Sequence, residues 1–216
     1  MLFSQKNHKE QSEKEELANA ISHAVGLIAA IIAAPFLIYY SATHGDMFAV
    51  IGTTVFIITA MTLYLTSTLY HAVRHGKWKK ILQMADHVAI FLLIAGTYTP
   101  FTLGVLHGTF GWIMFGLIWL MAITGIVFKL ITGVKNIKIW VAFYLVMGWL
   151  IIIAIKPLLD AMALSGLLWI AAGGAAYTIG VIFYTMPQRK YTHFIWHLFV
   201  LAGTAFHFVA VMFHSF

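Results

Sequence analysis

His193 and His197 stand four residues apart at the entrance to an apolar run that ends at Phe216. On a helix that spacing puts both imidazoles on one face, one turn apart. Such a pair suggests metal ligands. His71 follows Ser67 at the same four-residue spacing, and Asp86 begins a further apolar run. The chain has no cysteine, so a metal would take its ligands from His, Asp and Glu. That donor set suits zinc. Calcium or magnesium would ask for more oxygen ligands. Three neutral imidazoles that leave one position open form the usual catalytic zinc arrangement, and the metal brings the pKa of water there to about 7. Asp86 would then hold or deprotonate water, and Ser67 would hydrogen-bond Asp86 or a substrate carbonyl.

These residues act together only if the chain brings them to one depth. Of its 216 residues 62% are hydrophobic and 9% charged, against roughly 25% charged in a soluble domain. The composition therefore implies an integral membrane protein. Seven spans of about 20 mostly apolar residues are expected, near 18–41, 47–71, 84–106, 110–131, 137–158, 163–185 and 191–214. Helices are the expected form, because in lipid each backbone polar group must be satisfied within its own segment. The reading is an all-α protein with a polar tail at 1–16 and one seven-helix domain at 17–216. The tail lacks the features of a cleaved signal peptide. The breaks carry turn residues, as in Arg74-His75-Gly76-Lys77, His107-Gly108-Thr109 and Thr132-Gly133-Val134-Lys135.

Twelve of the 13 basic residues fall on the N-terminal side when sides alternate, and only Lys156 falls on the other. By the positive-inside rule the N-terminus is cytoplasmic and the C-terminus outside. The net charge of +6 is thus a topology signal and does not point to nucleic acid. This orientation puts His71, Asp86, His193 and His197 in the cytoplasmic leaflet, on three different spans. Beyond the tail, Asp86 is the only carboxylate inside a span on that side. A carboxylate there is costly and marks a functional site.

Other polar residues have plainer readings. His207 lies ten residues beyond His197, about 15 Å along the helix and too far to share an ion. His87 points to another face than Asp86, and reads as supporting the site or interfacial. His75, His44, His107 and His214 read as solvent-facing or interfacial. Glu16, Asn19 and His23 share one face and form either a capping network or a support beneath the site. Pro35, Pro100 and Pro157 mark kinks or rearranged backbone near a cavity. Gly173, Gly174 and Gly180 allow close packing. Tyr39, Tyr40, Trp78, Trp112, Trp140, Tyr184 and Tyr191 read as interface anchors.

Three motifs carry a family resemblance. They are Glu16-x-x-Asn19-x-x-x-His23, Ser67-x-x-x-His71 followed by Asp86, and His193-x-x-x-His197. Over 16–215 the chain resembles the bacterial hemolysin III family, the prokaryotic branch of the progestin and adiponectin receptor superfamily. The resemblance implies zinc on His71, His193 and His197, with Asp86 reaching it through water and Ser67 in the same motif. It implies hydrolysis of a lipid amide, similar to alkaline ceramidases, in the cell membrane. It also leaves open a receptor-like sensor with structural zinc and a cytolytic protein. A pore is poorly supported by spans with no polar row. A retinal protein would need a lysine within a late span, and a di-haem cytochrome leaves Asp86 unexplained.

Overall fold

The computed structural model describes residues 11–134 and 137–216. Among these the chain is wholly helical, and seven helical stretches are long and apolar enough to cross a membrane. The helices are α1 (Glu13–His44), α2 (Met47–Ala72), α3 (Lys77–Pro100), α4 (Gly108–Thr132), α5 (Ile137–Gly148), α6 (Ile155–Ala161), α7 (Leu164–Tyr184) and α8 (Thr192–His214). A π-turn at Phe101–Val105 extends α3, and a 3₁₀ stretch at Trp149–Ala154 joins α5 to α6 in one span.

The turn residues explain the boundaries. Gly76 and Gly133 take φ of +111° and +78°, a region open to glycine at no steric cost. Asp46 caps α2 by accepting from Ala49 N–H at 2.9 Å. The two irregular stretches lie beside Pro100 and Pro157, as expected of residues that cannot donate to the helical ladder. Two helices begin earlier than their apolar runs. A capping box between Ser12 and Glu15 starts α1 at Glu13, and α3 starts at Lys77 before its apolar core.

α1 packs on α2 and α8, α2 on α3, and α7 on α8, while α5 and α7 make little contact. One apolar cluster joins α1, α2, α3 and α8 around Tyr64 and Leu63, and a second joins α3, α4 and α5 around Phe91 and Trp140. Gly173 seats the His207 ring, and Gly180 seats Trp196 and Phe199. Gly174 has open space instead.

The structure corrects three readings. Lys129 is not a surface charge: it is fully buried, its ammonium donates to Tyr144 Oη at 2.8 Å, and it lies 4.6 Å from the Trp140 ring centroid. A buried ammonium needs such partners. Trp140 is therefore an interior residue, not an interface anchor. Tyr184 is likewise turned inward, onto two cavities. Of the remaining basic residues on the expected inner side, Lys14, Arg74, Lys77, Lys80, Lys138, Arg189 and Lys190 are exposed. Lys6, Lys9 and Lys135 lie outside the described residues.

Candidate metal centre

α1, α2 and α8 build the centre between them. His71, His193 and His197 each present a ring nitrogen, and the three lie within 4.8 Å of one another. The Nε2 atoms of His71 and His193 are 3.2 Å apart. Two nitrogens bound tetrahedrally to one zinc are about 3.3 Å apart, given bonds of about 2.05 Å. His71 and His197 are buried, and His193 is half-buried.

The partners of the opposite nitrogens decide what these rings can do. His71 Nδ1 lies 2.6 Å from Glu16 Oε2. The carboxylate only accepts, so Nδ1 carries the proton and Nε2 keeps its lone pair. His197 Nδ1 lies 3.2 Å from the Asn19 carbonyl and 3.0 Å from Ser22 Oγ. Ser22 gives its own proton to that same carbonyl, so both oxygens accept from Nδ1–H, and Nε2 of His197 is again a bare donor to metal. Metal-binding imidazoles are typically held this way by a carboxylate or carbonyl on the far nitrogen. The donor set fits zinc.

α1 is thus the template of the site. Glu16 also accepts from Lys79 Nζ at 2.8 Å, which fixes its carboxylate. Glu15, set by the capping box, accepts from Tyr191 N–H at 2.8 Å. Tyr191 has a left-handed φ of +60° and begins the turn that aims His193. His23 stacks on His197 with ring centroids 3.7 Å apart. The Glu16, Asn19 and His23 face supports the histidines, while the cap belongs to Ser12 and Glu15. Substituting Glu16 with Gln keeps the size and removes the charge. Zinc affinity is expected to fall roughly 10- to 100-fold, measured by competition with a chelating dye. An unchanged affinity would show that Glu16 does not tune His71.

Asp86 and Ser67 line one small cavity with His193, His197, His23, His87 and Tyr184. Asp86 is buried and stands outside the three-histidine group. The Ser67 hydroxyl is buried and has no hydrogen-bond partner among the described residues. His87 lines the cavity with Nδ1 unpartnered, which favours its supporting reading over an interfacial one.

A second cavity of about 240 Å³ abuts the first. Leu63, Ile90, Tyr184, Trp196 and Val200 line both. Its walls are almost wholly apolar, and it extends to Phe101, Leu158 and Leu167. Trp149, Ile152 and Ile155 line it and are also exposed on the outer face, so it opens sideways between α5–α6 and α7.

Ser22, Tyr184 and Lys129 were missed by reading sequence. Ser22 carried a signal, since it lies three residues beyond Asn19 on the face already singled out. So did Lys129, which has Leu130 and Ile131 still to follow before the Gly133 break. Tyr184 carried none.

The haemolysin-III-related family model matches residues 11–208. Hemolysin-3 of Bacillus cereus is 46% identical over 204 residues, which cover 94% of this chain and 93% of that protein. The Hemolysin-3 homolog of Bacillus subtilis (strain 168) is 45% identical over 201 residues, covering 93% and 94%. The human Monocyte to macrophage differentiation factor is 30% identical over 213 residues, covering 91% and 83%. Matches that run nearly end to end and take in α1, α2 and α8 together place this seven-span chain in the hemolysin III family, within the progestin and adiponectin receptor superfamily.

Proposed function

We propose that the protein is a zinc-dependent hydrolase of an amide or ester bond in a membrane lipid. The observation that carries this reading is the junction of a three-histidine centre with a lateral apolar cavity. The first suits hydrolysis, and the second suits a chain drawn from the bilayer. Nothing in a purely structural metal site calls for that connection.

His71, His193 and His197 would hold the zinc through Nε2 of at least His71 and His197. When bound, zinc supplies a Lewis acid and a water of lowered pKa. Asp86 faces the same cavity as His193 and His197 and takes the proton of the attacking water. As the carbon–nitrogen or carbon–oxygen bond breaks, Asp86 returns that proton to the leaving amine or alcohol. Ser67, on the wall with Asp86, orients the water. Tyr184 Oη makes no hydrogen bond among the described residues and stands where the two cavities meet. It is placed to donate to the carbonyl oxygen as negative charge develops there. The acyl chain lies in the apolar cavity, where each buried methylene contributes about 0.8 kcal/mol relative to water. The Lys and Arg distribution supports a centre in the inner leaflet of the cell membrane.

The test incubates detergent-solubilised protein with pooled lipid amides and esters and reads fatty-acid release by mass spectrometry. Release that stops on chelation and returns with zinc supports the reading. Failure of every amide and ester class, with zinc demonstrably bound, defeats it. A second reading has one observation in its favour. The centre ties α1, α2 and α8 together, as a structural zinc in a membrane sensor would. It predicts that zinc stabilises the fold while no lipid is cleaved.

A further inference from the structure

A ring nitrogen in the apolar cavity is an acceptor left unpaired. His207 is buried and lines this cavity. Its Nδ1 lies 2.8 Å from the Gly203 carbonyl. A carbonyl only accepts, so Nδ1 carries the proton and Nε2 is a bare acceptor. Nε2 has no hydrogen-bond partner among the described residues. The ring is also fixed: Gly173 seats one edge, and Tyr177 stacks on its face with centroids 5.5 Å apart.

The neighbouring hydroxyls on the wall have no proton to offer it. Thr97 donates to Leu93 O, and Thr178 donates to Gly174 O. Tyr98 donates to the Met147 and Gly148 carbonyls. Thr204 donates to Val200 O, so the Tyr177 hydroxyl must donate to Thr204 Oγ1. The wall around His207 therefore presents an acceptor and lacks a donor. A buried acceptor without a donor is costly, and a ligand that brings one is rewarded.

We infer that His207 is a second polar contact for the lipid, one that takes a hydroxyl carried along the chain and remote from the head group. This deepens the lipid-hydrolase reading, resting on it only for the chain occupying the cavity. His207 lies ten residues beyond His197, about 15 Å along α8. The contact is thus far from the metal centre, and the hydroxyl must sit well down the chain. An ordinary saturated chain leaves Nε2 unpaired. A chain hydroxylated at the matching carbon pairs it.

The experiment measures binding to the purified, solubilised protein, and no turnover is needed. The probes are octadecanoic acids bearing one hydroxyl at successive positions, the unsubstituted acid, and the methoxy counterpart of the best isomer. Native mass spectrometry under competition ranks them. One isomer remote from the carboxyl end is expected to bind roughly five- to tenfold tighter than the unsubstituted acid. Its methoxy counterpart, which has the oxygen but no proton, loses that preference. H207F is expected to bind the unsubstituted acid as the wild type does and to show no preference among isomers. Equal binding of all isomers by wild type overturns the inference, and so does a preference that survives in H207F. The methoxy comparison decides the matter on wild-type protein alone should H207F fold poorly. Hydrolysis could be absent while the preference stands, in which case the hydrolase reading falls and this contact remains.

Discussion

Protein purified in detergent without chelator is expected to carry about one zinc per chain, and the His193→Ala/His197→Ala double variant is expected to carry none. This is the largest effect expected of any change to the molecule. The two substitutions remove two of three ligands, and they also remove the ring that α1 holds through Asn19 and Ser22. What remains is His71 with its Glu16 partner, too few donors for a closed zinc site. Stability should follow the metal. A zinc present at a thousand times its dissociation constant contributes about 4 kcal/mol. Chelation should therefore lower the melting temperature by on the order of 10 °C. The ion would join α2 to α8 directly, with α1 holding two of the rings through Glu16, Asn19 and Ser22, so its loss loosens α8 from α2. Elemental mass spectrometry and a thermal melt on the same preparation provide both readouts. A well-folded wild type that holds no zinc, and whose melting does not move when zinc is added, would reduce the histidines to a polar packing cluster.

If the protein is the proposed hydrolase, Asp86→Asn is expected to retain zinc and to lose turnover by about 10²- to 10⁴-fold. Asparagine has nearly the same shape, so the small cavity and the packing of α3 persist. It cannot take up a proton from water at neutral pH, and that function is the one assigned to Asp86. Because Asp86 stands outside the three-histidine group, the metal content should hardly change. Turnover against metal content separates three cases. Lost turnover with zinc retained fits the assignment. Lost zinc would make Asp86 a direct ligand. Turnover within twofold of wild type would remove Asp86 from the chemistry.

The sequence alone determined the spans and the grouping of His71, His193 and His197. Seven apolar runs bounded by turn residues reappear as seven helical stretches, because in lipid the backbone has no other way to satisfy its polar groups. The four-residue spacing of His193 and His197 is local helix geometry and needs no partner helix to be read. Joining them to His71 took only topology, since depth follows from counting spans. Asp86 was legible because a carboxylate inside such a run is rare.

What the tertiary structure decided is which faces meet. These helices are apolar nearly all round, so periodicity marks no face as inward. Glu16 could have been a cap or a ligand support; only the packing of α1 against α2 and α8 shows it holding His71. Lys129 reads in one dimension as a loop-side charge, yet α4 and α5 close over it with Trp140 and Tyr144. Tyr184 reads as an interface anchor, and it faces the junction of two cavities instead. The cavity itself has no sequence signature. It lies where α5 and α7 stay apart beside the 3₁₀ stretch of the α5–α6 span, and separation between distant segments is a property of the folded bundle alone.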